Sequence, residues 1–153
     1  MLKDFKELLS AFNAHRVRYL IVGGHAVSFH AQPRATKDIG ILIDPAGDNS
    51  QSVFAALIEF GAPIRGVSAK DFTEPDNFFR IGTPPAMVDI LPKISGVDFP
   101  VAWTRRVMSE VDTGLSVSFI SREDLIVSKL AAGRPQDLAD VAALQASQAV
   151  LRK

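Results

Sequence analysis

Apolar residues at the start of the chain fall at helical spacing. Leu2, Phe5, Leu8, Leu9 and Phe12 recur every three or four positions and predict an amphipathic helix that ends near Asn13-Ala14. A short apolar run, Tyr19-Leu20-Ile21-Val22, predicts a strand broken at Gly23-Gly24, and small residues from His25 to Ala31 predict a helix after it. A second strand is expected from about Thr36 to Ile43. Its alternation puts Thr36, Asp38, Gly40 and Leu42 on one face and Ile39, Ile41 and Ile43 on the other. Asp48, Asn49 and Ser50 then offer N-cap side chains for a helix carrying Val53, Phe54, Leu57, Ile58 and Phe60, which Gly61 stops.

Between Ala62 and Asn77 no period is visible, and Pro63, Gly66 and Pro75 interrupt the stretch. Order returns with two strands, Phe78 to Gly82 and Ala86 to Leu91, joined around Thr83-Pro84-Pro85 as a hairpin. Asp98 is expected to cap a short helix running through Trp103 to Arg106. A second hairpin pairs Val107 to Val111 with Leu115 to Ile120 across Asp112-Thr113-Gly114, at a sheet edge. Ser121-Arg122-Glu123-Asp124 fits a capping box for a helix that stops at Gly133, and Pro135 opens another carrying Leu138, Val141, Leu144 and Val150. Strands and helices in this alternation predict an α/β (α+β) layer fold, a mixed sheet flanked by helices.

Composition narrows the class. The chain has 153 residues, 47% hydrophobic and 22% charged, with no internal repeats or linkers, so one domain over 1–153 is expected, its C-terminal helices within 121–150. With no cysteine, disulfides and thiolate metal sites are excluded. No apolar run approaches a membrane span, and a cytoplasmic protein is the expectation. Net charge is zero, which argues against a broad polyanion-binding surface. Residues 1–37 nevertheless hold six Lys or Arg against two acids, a local excess of four that could attract a triphosphate or an RNA end, or form a solvated face.

Candidate chemistry gathers around the glycines. A strand, a Gly-Gly turn and a helix together aim backbone N–H groups and a positive helix end at one point, which suits a phosphate at Gly23 and Gly24. The next strand brings Asp38 close in sequence. Asp89 stands among Val88, Ile90 and Leu91, where a carboxylate is costly to bury unless paired, hydrogen-bonded or metal-bound; the alternative is a strand-end position taking backbone N–H bonds. Arg34 suits either a phosphate fork or an ordinary surface position, and Lys129 either a triphosphate contact or a cation near a helix C-terminus. Arg134, Asp137 and Asp140 read as capping and surface pairs. His25 and His30 bring too few ligands for zinc. Asp44 lies about 20 Å along the strand from Asp38, too far to share a metal, whereas Glu74 or Asp76 could fold in from the irregular segment.

Val22-Gly23-Gly24 followed by Arg34-x-Thr36-x-Asp38-Ile39 resembles the signature of the nucleotidyltransferase superfamily, the fold of the DNA polymerase beta palm and of minimal nucleotidyltransferases in bacterial toxin–antitoxin systems. The segment from Ser121 to Asp140 resembles the C-terminal helices of the same proteins. Those relatives carry Asp-x-Asp on the second strand and a third acid on a later one. This chain reads Asp38-Ile39-Gly40, so Asp38 and Asp89 match and the middle carboxylate is absent.

The resemblance implies transfer of a nucleoside monophosphate from a nucleoside triphosphate to a hydroxyl on RNA, a protein or a small molecule. It assigns Asp38 and Asp89 to Mg²⁺ or Mn²⁺ and to catalysis, and Gly23, Gly24, Arg34, Thr36 and Lys129 to the nucleotide. A toxin–antitoxin partner is also implied. In-line transfer uses two divalent cations about 3.5–4 Å apart, and Gly40 weakens the set that would hold them. The alternative from another class is a degenerate member, a pseudoenzyme that binds nucleotide or a partner protein without turnover. Gly40 itself also reads as a bulge or a place of close backbone approach.

Overall fold

The computed structural model describes residues 1–33 and 36–151, and it holds the expected mixed sheet flanked by helices, an α+β fold. In chain order the elements are α1 (Lys3–Ala14), β1 (Tyr19–Val22), α2 (Gly23–His30), β2 (Asp38–Ile43), α3 (Gly47–Phe60), β3 (Phe79–Thr83), β4 (Ala86–Leu91), α4 (Phe99–Thr104), β5 (Val107–Asp112), β6 (Leu115–Phe119), α5 (Arg122–Ala132) and α6 (Pro135–Leu151). The side chain of Val150 lies outside what is described. The six strands form one sheet in the order β3-β4-β2-β1-β6-β5. β2 runs antiparallel to β1 and parallel to β4, and β1 runs parallel to β6, so the two hairpins, β3-β4 and β5-β6, supply antiparallel edges.

Burial follows the alternation read along β2. Ile39, Ile41 and Ile43 are fully buried, whereas Asp38 and Gly40 on the opposite face are only half-covered. One face of the sheet is thus closed by core while the other opens at the start of β2. On α1 the buried positions are Phe5, Leu8, Leu9 and Phe12, the apolar stripe that the spacing requires. Along α6, Val141 and Leu144 are buried but Leu138 is exposed, because the first two turns of that helix turn inward their acids, Asp137 and Asp140.

Three local readings are corrected. β2 begins at Asp38 and not at Thr36, whose hydroxyl donates to the Asp38 carbonyl at 3.2 Å. α3 begins at Gly47, so Asn49 lies inside its first turn and does not cap it. The fully buried Asn49 amide accepts from Arg18 N–H at 2.8 Å and donates to the carbonyls of Arg18 (3.1 Å) and Asp44 (2.9 Å), tying the start of β1 to the end of β2. The stretch 62–77 contains a 3-10 turn, Ala69–Thr73, held by a capping box in which Ser68 N–H donates to Asp71 at 2.8 Å. The single apolar anchor of that turn, Phe72, is fully buried against Phe79, ring centroids 4.4 Å apart. One buried side chain in five residues leaves no period to read.

α2 is fastened at its far end. His30 donates from Nε2 to the Ile120 carbonyl at 2.6 Å, Phe29 stacks on Phe119 at 4.1 Å, and Ser147 of α6 donates to the His30 carbonyl at 3.1 Å. The helix behind the Gly23-Gly24 turn is therefore pinned to both β6 and α6. The basic surplus of residues 1–37 is by contrast taken up in part by pairs. Arg18 binds Asp44 at 2.8 Å and Asp48 at 3.1 Å, Lys6 binds Asp112 at 3.3 Å, and Lys3 faces Glu7 at 3.8 Å.

Phe72→Ala is expected to cost about 3–5 kcal/mol, because it removes a fully buried ring and leaves a cavity beneath β3. Urea unfolding followed by circular dichroism checks this. A loss under 1 kcal/mol would show that the 62–77 segment is not anchored through Phe72.

Candidate active site

The parallel register of β2 and β4 decides where the acids meet. Asp89 lies opposite Gly40, and Asp38 opposite Met87, so Asp89 projects from the same face as Asp38. On the other side of β4, Arg80 of β3 lies opposite Asp89. Its guanidinium reaches both carboxylates: one terminal nitrogen donates to Asp38 Oδ2, and Nε stands 3.1 Å from Asp89 Oδ1. Asp89 is thus in mid-strand beside a cation. The strand-end alternative, with backbone N–H bonds to the carboxylate, does not hold. Asp89 Oδ1 is buried and accepts no aligned hydrogen bond. Burial raises the proton affinity of Asp89, Arg80 opposes that rise, and the nearby charge of Asp38 adds to it.

Gly40 occupies an ordinary strand position. Its pairing with Val22 on one side and Asp89 on the other is continuous, so the bulge reading is wrong; the register shift in this sheet falls between Glu110 and Asp112. A Cβ at position 40 would stand 3.3 Å from Val22 Cγ2 and 3.7 Å from Val22 O. That approach is tight, but its nearest atom is a side-chain methyl, and the backbone does not demand glycine.

Gly23, at φ +67°, reverses the chain between β1 and α2, a conformation that favours glycine. Among the described residues no side chain caps the start of α2. The first-turn N–H groups therefore lack a side-chain acceptor beside a hollow of about 460 Å³. Gly23, Gly24, Thr36, Asp38, Gly40, Asp89 and Lys129 all line it, together with the exposed ring of Phe78. Of the residues expected at the site, Arg34 lies outside those described. Glu74 and Asp76 are exposed and line neither this hollow nor the one beside it. Asp44, as the strand length required, is elsewhere, engaged by Arg18.

The far wall comes from α5 and α6, and here the expectation of surface pairs is corrected. Asp137 and Asp140 are almost fully buried, and Lys129 lies between them, Nζ 3.3 Å from Asp137 Oδ1 and 3.0 Å from Asp140 Oδ2. Arg134 adds a fork to Asp137 from Nε (2.6 Å) and a terminal nitrogen (3.2 Å), while its backbone N–H donates to the same carboxylate at 3.1 Å. Among the described residues, two cations meet two carboxylates in this cluster. The Arg134 hydrogen bond is the main cause holding the Asp137 carboxyl below its usual value. Helix periodicity could not reveal this, since it marks apolar faces and the burying partner, Lys129, lies on a different helix. Arg80 was likewise passed over, because nothing local to β3 distinguishes it from a surface arginine.

A second hollow of about 450 Å³ adjoins the first, sharing Val22, Gly23, Leu91, Lys129, Arg134 and Asp137. Ile94, Leu125 and Ala132 give it apolar walls, with Lys93, Ser95 and Ser128 as polar groups. Among the described residues no group of three or more carboxylate or histidine side chains is placed to hold a metal ion, and no helix is long and apolar enough to cross a membrane.

These features define a protein of nucleotidyltransferase fold. The family model DUF6036, "Nucleotidyltransferase of unknown function", matches residues 1–150, and the chain belongs to that family. Among solved structures it is similar to the lincosamide antibiotic adenylyltransferase LnuA in its lincomycin-bound form, with TM-score 0.61 and 20% identity over 95% of this chain and 96% of that one. It is also similar to the antibiotic-resistance factor ANT(2'')-Ia, with TM-score 0.57 and 16% identity over 97% of this chain and 82% of that one. At these identities the likeness is one of fold. No curated protein matches the sequence.

Asp137→Asn is expected to cost about 3 kcal/mol at neutral pH, since it breaks a buried ion pair and leaves Lys129 undercompensated. Because the folded carboxyl titrates below its unfolded value of 3.8, its contribution is complete above that pH and is lost as pH falls through the folded value. The stability gap between wild type and variant should therefore close below about pH 4. Denaturant midpoints measured from pH 7 to pH 3 test this, and a gap that is constant or grows on acidification would contradict it.

Proposed function

We propose that the chain, acting as one domain over 1–153, transfers a nucleoside monophosphate from a nucleoside triphosphate to a hydroxyl of a small molecule in the cytoplasm. The observation that carries this reading is the convergence of Asp38 and Asp89 on one sheet face, in one hollow with the uncapped start of α2. The N–H groups of Gly23 and Gly24 orient the phosphates, with the helix dipole favouring their charge. Lys129, already balanced by Asp137 and Asp140, orients a phosphate oxygen by hydrogen bonding and adds little net attraction. Thr36 fixes the start of β2 through its bond to the Asp38 carbonyl, and Arg34 stays a candidate phosphate fork.

Asp38 and Asp89 fit one Mg²⁺ or Mn²⁺: both are hard oxygen donors, and Asp89 Oδ1 is buried without an aligned hydrogen bond. When bound, such a cation offsets the charge of the phosphates and polarises the phosphoryl group. Of the acceptors the sequence suggests, the adjoining hollow favours a small molecule, since about 450 Å³ is the size of a drug-like site. Arg18, Lys6 and Lys3, half of the basic residues of 1–37, are engaged by acids, which reduces the basic surface open to RNA. LnuA and ANT(2'')-Ia, an antibiotic adenylyltransferase and an antibiotic-resistance factor, support the same acceptor class by fold.

A second reading, nucleotide binding without turnover, is favoured by Gly40 and by Arg80 sitting on both acids. Incubation with each labelled triphosphate, Mg²⁺ or Mn²⁺ and a panel of hydroxylated small molecules separates the two. Label transfer is expected, and Asp38→Asn should reduce it on the order of 1000-fold. Triphosphate binding with no transfer to any acceptor would select the second reading. Gly40→Asp, which needs Val22 to give by a few tenths of an ångström, should raise affinity for Mn²⁺ and triphosphate; calorimetry showing no change would count against the assignment of this face to a cation.

A further inference from the structure

Arg80 enters the site across β4. The row Arg80, Asp89, Gly40, Val22 runs straight across β3, β4, β2 and β1. Asp38 is two residues before Gly40 on the same face and pairs with Met87, so it lies diagonally across β4 from Arg80. The guanidinium passes Asp89 and also closes on Asp38, pairing with one carboxylate through Nε and with the other through a terminal nitrogen. Two acids and one fixed cation leave the pair a net charge of minus one. A divalent cation brought to these two carboxylates therefore competes with a positive charge already in contact with both.

We propose that Arg80 is the internal counter-ion of the site: its guanidinium holds Asp38 and Asp89 together in the absence of metal, and a divalent cation arriving with a triphosphate displaces it toward the phosphates. The second half rests on the nucleotidyl-transfer reading; the first does not. Three features make the exchange physically easy. The Arg80 side chain is 48% exposed, so moving it uncovers no core. It sits on β3, an edge strand with no strand on its outer side. Its planar fork suits a phosphate as well as a carboxylate. Asp89 gains as well, since Arg80 stands against Oδ1 without forming an aligned bond.

The test is calorimetric titration of the full chain with Mn²⁺ alone, repeated with Mn²⁺ and a non-hydrolysable triphosphate, on wild type, Arg80→Met and Arg80→Lys. Circular dichroism first verifies folding, and Arg80→Lys, which keeps the charge, carries the test if Arg80→Met does not fold. Without nucleotide, Arg80→Met is expected to bind Mn²⁺ about tenfold tighter than wild type, with Arg80→Lys between them. With the triphosphate present the order reverses, and Arg80→Met binds the Mn²⁺–triphosphate complex more weakly than wild type. Mn²⁺ affinity unchanged or lowered in both variants overturns the counter-ion; equal or tighter Mn²⁺–triphosphate binding by Arg80→Met overturns the transfer to phosphate. Failure of label transfer with every acceptor would remove the proposed activity and leave the Mn²⁺ comparison standing, whereas transfer with unaltered Mn²⁺ affinity in the variants would remove this inference alone.

Discussion

The parallel pairing of β2 with β4 is the constraint on which the site depends. Side chains alternate across a strand, so a slip of one residue would send Asp89 to the opposite face, into the apolar layer that holds Ile39 and Ile41. The register is held by what surrounds it. Val88 and Ile90 are buried on one side of β4, and only one alignment buries them while Asp89 meets Arg80 and Asp38. Core burial, not attraction between the charged groups, places the acids, since two carboxylates repel and one arginine compensates them only in part.

The opposite wall of the hollow obeys a different rule. Lys129, Asp137, Asp140 and Arg134 compensate one another, and the carboxylates are almost fully buried. Such a cluster adds little net stability over apolar packing, but removing any one partner is costly, so it fixes the angle between α5 and α6. Arg122 reinforces the joint by donating twice to the Leu144 carbonyl, at 3.0 and 2.8 Å. The hollow consequently has one wall of buried ion pairs and one wall whose charge balance rests on a half-exposed arginine.

Counts of charge along the chain mislead here for a physical reason. Of the surplus of four in residues 1–37, two charges are met on folding, because Arg18 and Lys6 find Asp44, Asp48 and Asp112, all beyond that window. Electrostatic attraction for a ligand comes from cations left unpaired after folding, and pairing is a tertiary property.

What the chain determined by itself were the elements whose signals are local: the amphipathic stripe of α1, the glycine break after β1, the alternation along β2, the hairpins, and the Ser121 N-cap, whose hydroxyl accepts from Asp124 N–H at 3.1 Å. Asp38 and Asp89 also stood out, because a carboxylate within an apolar strand is conspicuous in sequence. Only the tertiary structure decided that Arg80 joins them, that Lys129 is buried between Asp137 and Asp140, and that Phe72 anchors the segment before β3. Each of these depends on which strands or helices become neighbours, and that choice comes from burying whole faces, a sum over the chain that no short window contains.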